Sequence, residues 1–162
     1  MIPMELFGVR VELPSNAPIV LLRTIDEKSP MLLPIFIGGP EATAIALAQE
    51  GIEPPRPMTH DLFAEVIRDM EVTVEKVVIT ELRDRTFFAE LHLRSPNEAK
   101  VMSARPSDAI ALAIRLDVPI YAEDELLAEA GYADEPDPEE EAEDVVEEFK
   151  DFIDNVNPED FA

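Results

Sequence analysis

One pattern that occurs twice constrains this chain more than any other feature. Gly39-Pro40-Glu41-Ala42-Thr43 leads into Ala44-Ile45-Ala46-Leu47-Ala48, and Ala104-Arg105-Pro106-Ser107-Asp108 leads into the identical pentapeptide Ala109-Ile110-Ala111-Leu112-Ala113. A third stretch, Arg56-Pro57-Met58-Thr59-His60-Asp61-Leu62, repeats the order Arg-Pro, hydroxyl, Asp without the alanines. Proline presets φ for a first helical turn, where its missing N–H is no loss. Thr59 and Ser107 suit N-cap positions, and Glu41, Asp61 and Asp108 set negative charge at the positive end of a helix dipole. Each carboxylate therefore has a capping reading. It also has a chemical one, because a helix N-terminus beside Arg56 or Arg105 offers backbone donors and a guanidinium fork that match a phosphate.

The segments between these helix starts alternate as strands do. Met4 to Leu13 sets Phe7, Val9, Val11 and Leu13 on one apolar face, a period of two. Ala17 to Thr24 and Met31 to Ile37 read as further strands, and Glu41 to Glu50 as a helix that Gly51 closes. Pro54, Pro55 and Pro57 make an extended connector. Leu62, Phe63, Val66, Ile67 and Met70 then fall at helical spacing as one apolar set. Strands follow over Val72 to Ile79, Phe87 to Leu93 and Glu98 to Ser103, with a turn at Arg83-Asp84-Arg85, before the second alanine-rich helix. A short strand at Val118 to Tyr121 and a short helix at Asp124 to Ala130 complete the body. The expected fold class is α+β: internally duplicated β-β-β-α units joined by a linking helix, with the alanine-rich helices buried between sheets of mixed or antiparallel strands. The expected domains are a body over 1–132, an acidic linker over 133–144, and an amphipathic helix and tail over 145–162.

Charge separates body from tail. The formal net charge is −23, but residues 123 to 162 hold 18 acidic residues against Lys150 alone, so most of it belongs to the tail. Such a chain is repelled by bulk nucleic acid and anionic membrane unless positive charge is concentrated locally. In the tail, Val145, Val146, Phe149, Phe152, Ile153 and Val156 form one apolar stripe on an acidic helix, which calls for a surface, its own domain or a protein partner. No cysteine is present, which excludes disulfides and thiolate metal sites. No apolar run approaches the ~20 residues of a membrane span. The expectation is a cytoplasmic protein without a membrane partner.

His60 and His92 are the only histidines. His92 lies in a strand and reads as a cross-strand residue. His60, at a helix start beside Asp61, has the context of a proton carrier as well as that of a capping-region residue. If the helix starts converge, one site holds His60, Asp61 and Asp108 as catalytic groups and Arg56 and Arg105 as substrate-binding groups. Asp61, Asp108 and Glu41 would be the carboxylates for a hard cation such as Mg²⁺ or Mn²⁺. That set suffices for phosphodiester hydrolysis, and it equally suits an ion-pair network that ties helix ends together.

At these residues the chain resembles the bifunctional nuclease family, the DUF151 or BFN domain. The matching pieces are Leu33-Pro34-Ile35-Phe36-Ile37-Gly38 with Glu41-Ala42 and Ala44-Ile45, the stretch Arg56 to Leu62, Ala104 to Ala113, and Pro119-Ile120. The resemblance implies an α+β fold with internal duplication, a homo-oligomer, and nuclease activity on DNA and RNA. Three departures stand out. Ser103 replaces a frequent aspartate, Glu71 replaces the usual glycine after the linking helix, and the acidic tail stands where some relatives carry a UVR motif. The leading expectation is a metal-assisted nuclease of low sequence specificity. The alternatives are a non-catalytic oligomeric interaction module with a partner-binding tail, and a phospho-ligand binder using the arginines alone.

Overall fold

A computed structural model describes residues 1–25 and 28–135. The strands are β1 (Ile2–Glu12), β2 (Ala17–Thr24), β3 (Met31–Phe36), β4 (Thr73–Arg83), β5 (Thr86–Arg94), β6 (Ala99–Ala104), β7 (Ile120–Ala122) and β8 (Tyr132–Ala133). The helices are α1 (Gly39–Gln49), α2 (Thr59–Asp69), α3 (Pro106–Leu116) and α4 (Asp124–Ala130). The fold is α+β. All described strands join one mixed sheet in the order β6-β5-β4-β7-β1-β2-β3-β8.

Two antiparallel meanders, β1-β2-β3 and β4-β5-β6, flank the short β7, which runs antiparallel to β1 and parallel to β4. Each meander leads directly into one alanine-rich helix. The β4–β5 hairpin closes through Asp84 and Arg85, both at positive φ (50° and 62°), as a two-residue turn on right-twisted strands requires. The acidic linker beyond 135 and the helix expected over 145–162 lie outside the described residues; Ala133, at the start of that linker, pairs with Met31 in β8.

Among the described residues there is a single sheet, so the alanine-rich helices do not lie between two. Helix α3 packs on β4 and β5 and is flanked by α1 and α2. Its alanines let these neighbours approach closely, and Ala109 through Ala113 are buried without a break. Helix α1, over β1 and β2, is buried only along Ala42, Ala44 and Ile45. Val20, Leu22, Leu33, Ile35, Val77 and Ile79 of the sheet meet Ile45, Ile110 and Leu112 in one continuous core.

Two expectations of burial fail for the same reason: periodicity identifies an apolar face but not whether anything covers it. Val11, near the far end of β1, and Leu13, just beyond it, are 57% and 77% exposed. Of the apolar set on α2 only Ile67 is buried, together with Ala64, whereas Leu62, Phe63, Val66 and Met70 are exposed.

Candidate functional site

The helix starts differ from the expected caps by a residue or two. Pro106 occupies the first turn of α3, so Arg105 becomes the N-cap and Ser107 is a buried second residue. Met58 takes the N-cap of α2 and Thr59 is its first residue. No side-chain hydroxyl caps either helix. This register gives α1, α2 and α3 a carboxylate at the same place, the third residue: Glu41, Asp61 and Asp108.

From that position a carboxylate reaches back to the N-cap N–H, and only Asp61 does so. Its Oδ2 accepts from the Met58 N–H at 3.0 Å, while Oδ1 accepts from Arg115 Nε at 2.7 Å. Arg115, 9% exposed, also donates to the carbonyls of Ala111 (2.9 Å) and Ala44 (3.0 Å). It thus pins the start of α2 to the middle of α1 and to the C-terminal half of α3. The Arg115 hydrogen bond, reinforced by the Met58 N–H, outweighs desolvation and holds the Asp61 carboxyl below the usual carboxylate range. Sequence reasoning passed over Arg115. The available signal was its place on α3 seven residues after Asp108, two turns along the same face.

Asp108 makes different contacts. Its Oδ1 lies 2.8 Å from His60 Nε2, and Arg105 grips both oxygens, Nε to Oδ2 at 2.8 Å and Nη2 to Oδ1 at 3.1 Å. Arg105 Nη2 also donates to Glu41 Oε1 at 3.0 Å. Burial works against ionisation of Asp108, but the hydrogen bonds from Arg105 and His60 prevail and its carboxyl sits below the usual range. His60 is nearly enclosed, with 12% of its side chain exposed, whereas Arg105 is 65% exposed.

These groups line a cavity of about 630 Å³ bounded by Pro40, Met58, Phe63, Leu91 and Met102. Asp61 and Arg115 line a separate cleft of about 400 Å³ with Arg68, Glu53 and Glu65. Of the expected site, then, the fold brings together His60, Asp108, Arg105 and Glu41. Asp61 is turned to the other cleft, and Arg56 is exposed and lines neither. His92 bonds Glu90 at 3.2 Å on its own strand.

Asp61, Asp108 and Glu41 are each held by an arginine. Among the described residues no three His, Asp or Glu side chains are grouped so as to hold a metal ion. Ser103 lines the same cavity and contributes no charge to it.

The bifunctional nuclease domain model matches residues 20–135. The chain belongs to the bifunctional nuclease domain family. An uncharacterized protein of Mycobacterium tuberculosis (strain H37Rv) is 47% identical over 159 residues, covering 95% of this chain and 94% of that one. Bifunctional nuclease 1 of Oryza sativa subsp. japonica is 32% identical over 99 residues, 59% of this chain and 30% of that protein. Bifunctional nuclease 2 of Arabidopsis thaliana is 28% identical over 112 residues, 67% and 34% respectively. The shared region is thus about a third of each plant protein. In this chain the family domain spans every helix start that meets in the His60–Asp108 cavity. Among the described residues no helix is long and apolar enough to cross a membrane.

Proposed function

We propose that this domain hydrolyses phosphodiester bonds of DNA or RNA with low sequence specificity, using His60 to move the proton, Asp108 to orient it and Arg105 to receive the phosphate. The observation that supports this reading is the 2.8 Å contact between His60 Nε2 and Asp108 Oδ1 at a cavity that also admits Arg105. A carboxylate on Nε2 favours the tautomer with its proton there, leaving the Nδ1 lone pair as the base. In hydrolysis His60 would take a proton from the attacking water as the new P–O bond forms. It would return that proton to the oxygen that leaves phosphorus.

Arg105 spends Nε and Nη2 on Asp108 and Glu41, and its Nη1 donors have no partner among the described residues. Those donors are free to meet a phosphate oxygen. Glu41 would hold the guanidinium in place.

One observation favours a second reading, a non-catalytic interaction module whose acidic tail engages a protein partner. Every carboxylate of the cluster already has an arginine, as a structural network would. The readings separate on Asp108→Asn, assayed on single-stranded RNA and DNA with Mg²⁺, with Mn²⁺ and with chelator, beside its melting curve. The nuclease reading predicts loss of ~10²-fold or more in cleavage with the fold retained. Cleavage equal to wild type contradicts it. Absence of cleavage in both proteins, with a lower melting temperature in the variant, favours the module.

A further inference from the structure

All four described helices contribute to one core cluster, which takes Val20, Leu22, Leu33 and Ile35 from β2 and β3. Side chains alternate between the faces of a sheet. Ile19, Leu21, Arg23, Leu32, Pro34 and Phe36 therefore lie on the other face, where no described helix packs.

Strand register sets what that face presents. Arg10, Ile19 and Phe36 are cross-strand neighbours in β1, β2 and β3, and Arg23, Leu32 and Tyr132 are neighbours in β2, β3 and β8. The Arg10 and Arg23 guanidinium groups both stand over the Phe7 ring, 5.4 and 5.5 Å from its centre. Phe36 and Tyr132 are 61% and 48% exposed beside the buried Leu21 and Leu32. This is an apolar patch with two cations, on a chain whose formal net charge is −23.

The chain also leaves the described structure at this patch. Asp134 donates its N–H to the Pro30 carbonyl, and its carboxylate accepts from Arg23 Nε at 2.9 Å. Residues 136–162 then hold twelve acidic residues against Lys150 alone, together with the apolar stripe from Val145 to Val156.

We propose that this C-terminal segment docks on its own chain here, laying its stripe against Ile19, Phe36 and Tyr132 and setting its flanking carboxylates on Arg10 and Arg23. The Asp134–Arg23 pair begins that pattern. Nine residues, 136–144, separate the exit from the stripe and reach up to about 30 Å, whereas β3 and β1 are about 10 Å apart. Tethering at this length gives a local concentration on the order of millimolar, which a separate occupant must outcompete. The exposed apolar residues of α2 suit an acidic segment less well, because Glu65 and Asp69 stand on the same helix and repel it. The proposal does not depend on the chemistry assigned to the His60–Asp108 cavity.

The absence of cysteine allows a single nitroxide on the full chain at Asn155→Cys, read by paramagnetic broadening of backbone amide signals. Loss of the signals of residues 19–23 and 32–36 is expected, with those of residues 99–104 retained. Phe149→Ser/Phe152→Ser in the tail should restore the lost signals. So should Arg10→Glu/Phe36→Ser, since both positions are exposed and the fold is retained. The proposal is overturned by broadening nowhere on the body, by broadening centred on α2 or β6, or by broadening that survives both double variants. Broadening found only between chains, in a mixture of tagged unlabelled and untagged isotope-labelled protein, overturns it in favour of a second copy. Amides of 19–23 and 32–36 that escape broadening and shift on adding single-stranded oligouridylate overturn it in favour of a nucleic-acid platform of arginines and aromatics.

Discussion

Asp61 and Asp108 occupy the same third position of successive helices and are employed differently. Asp61 accepts from its own N-cap N–H and from Arg115, a nearly buried cation with two further carbonyl partners. Asp108 leaves the cap and turns to His60 and Arg105. Asp61→Asn should therefore leave Arg115 without its counter-charge and cost about 2–3 kcal/mol, read as a lower urea midpoint, with cleavage by the folded fraction retained. Both carboxyls have folded-state pKa values below their unfolded ones. Their contribution to stability is thus fully present above the unfolded carboxylate value of about 3.9. It is lost as pH falls through the folded values. Melting temperature should fall as pH falls below about 4, and Asp61→Asn should flatten that decline; an equally steep decline would contradict the assignment. In the sequence the two motifs looked alike, Arg-Pro with a hydroxyl and Asp. Nothing in one dimension shows that Arg115 captures the first Asp and His60 the second.

Helix ends show how the elements are fixed. Three helices stop in one manner, with a left-handed residue followed by a backward hydrogen bond. Gly51 (φ 66°) precedes Ile52 N–H to Leu47 C=O, Glu71 (φ 56°) precedes Val72 N–H to Ile67 C=O, and Asp117 (φ 54°) precedes Val118 N–H to Ala113 C=O. Only Gly51 was legible in advance, because glycine advertises a left-handed C′ position and Glu71 and Asp117 do not. The glycine that the family resemblance leads one to expect at Glu71 would suit this left-handed position. Glu71→Gly should relieve the left-handed strain and raise stability by about 1 kcal/mol, measured by urea unfolding; destabilisation would contradict this account. Element type and order were readable from periodicity and proline placement, and most boundaries fell within two residues. The two-residue β8 was not, since its pairing with Met31 and Leu32 is decided by a strand a hundred residues away.

At the scale of the molecule, periodicity separated apolar from polar faces but could not count layers. The alternation that predicted sheets around the alanine-rich helices is satisfied by one sheet of eight described strands, with α3 covered by α1 and α2 instead of by a second sheet. The candidate site was legible in part because its residues all stand at helix starts, which the proline-acid motifs mark. The choice among those starts depends on how α2 crosses α3, bringing His60 to Asp108 and leaving Arg56 outside, and no local pattern encodes a crossing. If His60, held by Asp108, moves the proton, single-turnover cleavage of single-stranded RNA depends on it; wild type and His60→Gln, purified identically and compared by melting curve, decide this. A fall of ~10²–10⁴-fold in a variant that melts like wild type is the predicted result, and undiminished cleavage by His60→Gln would contradict the account.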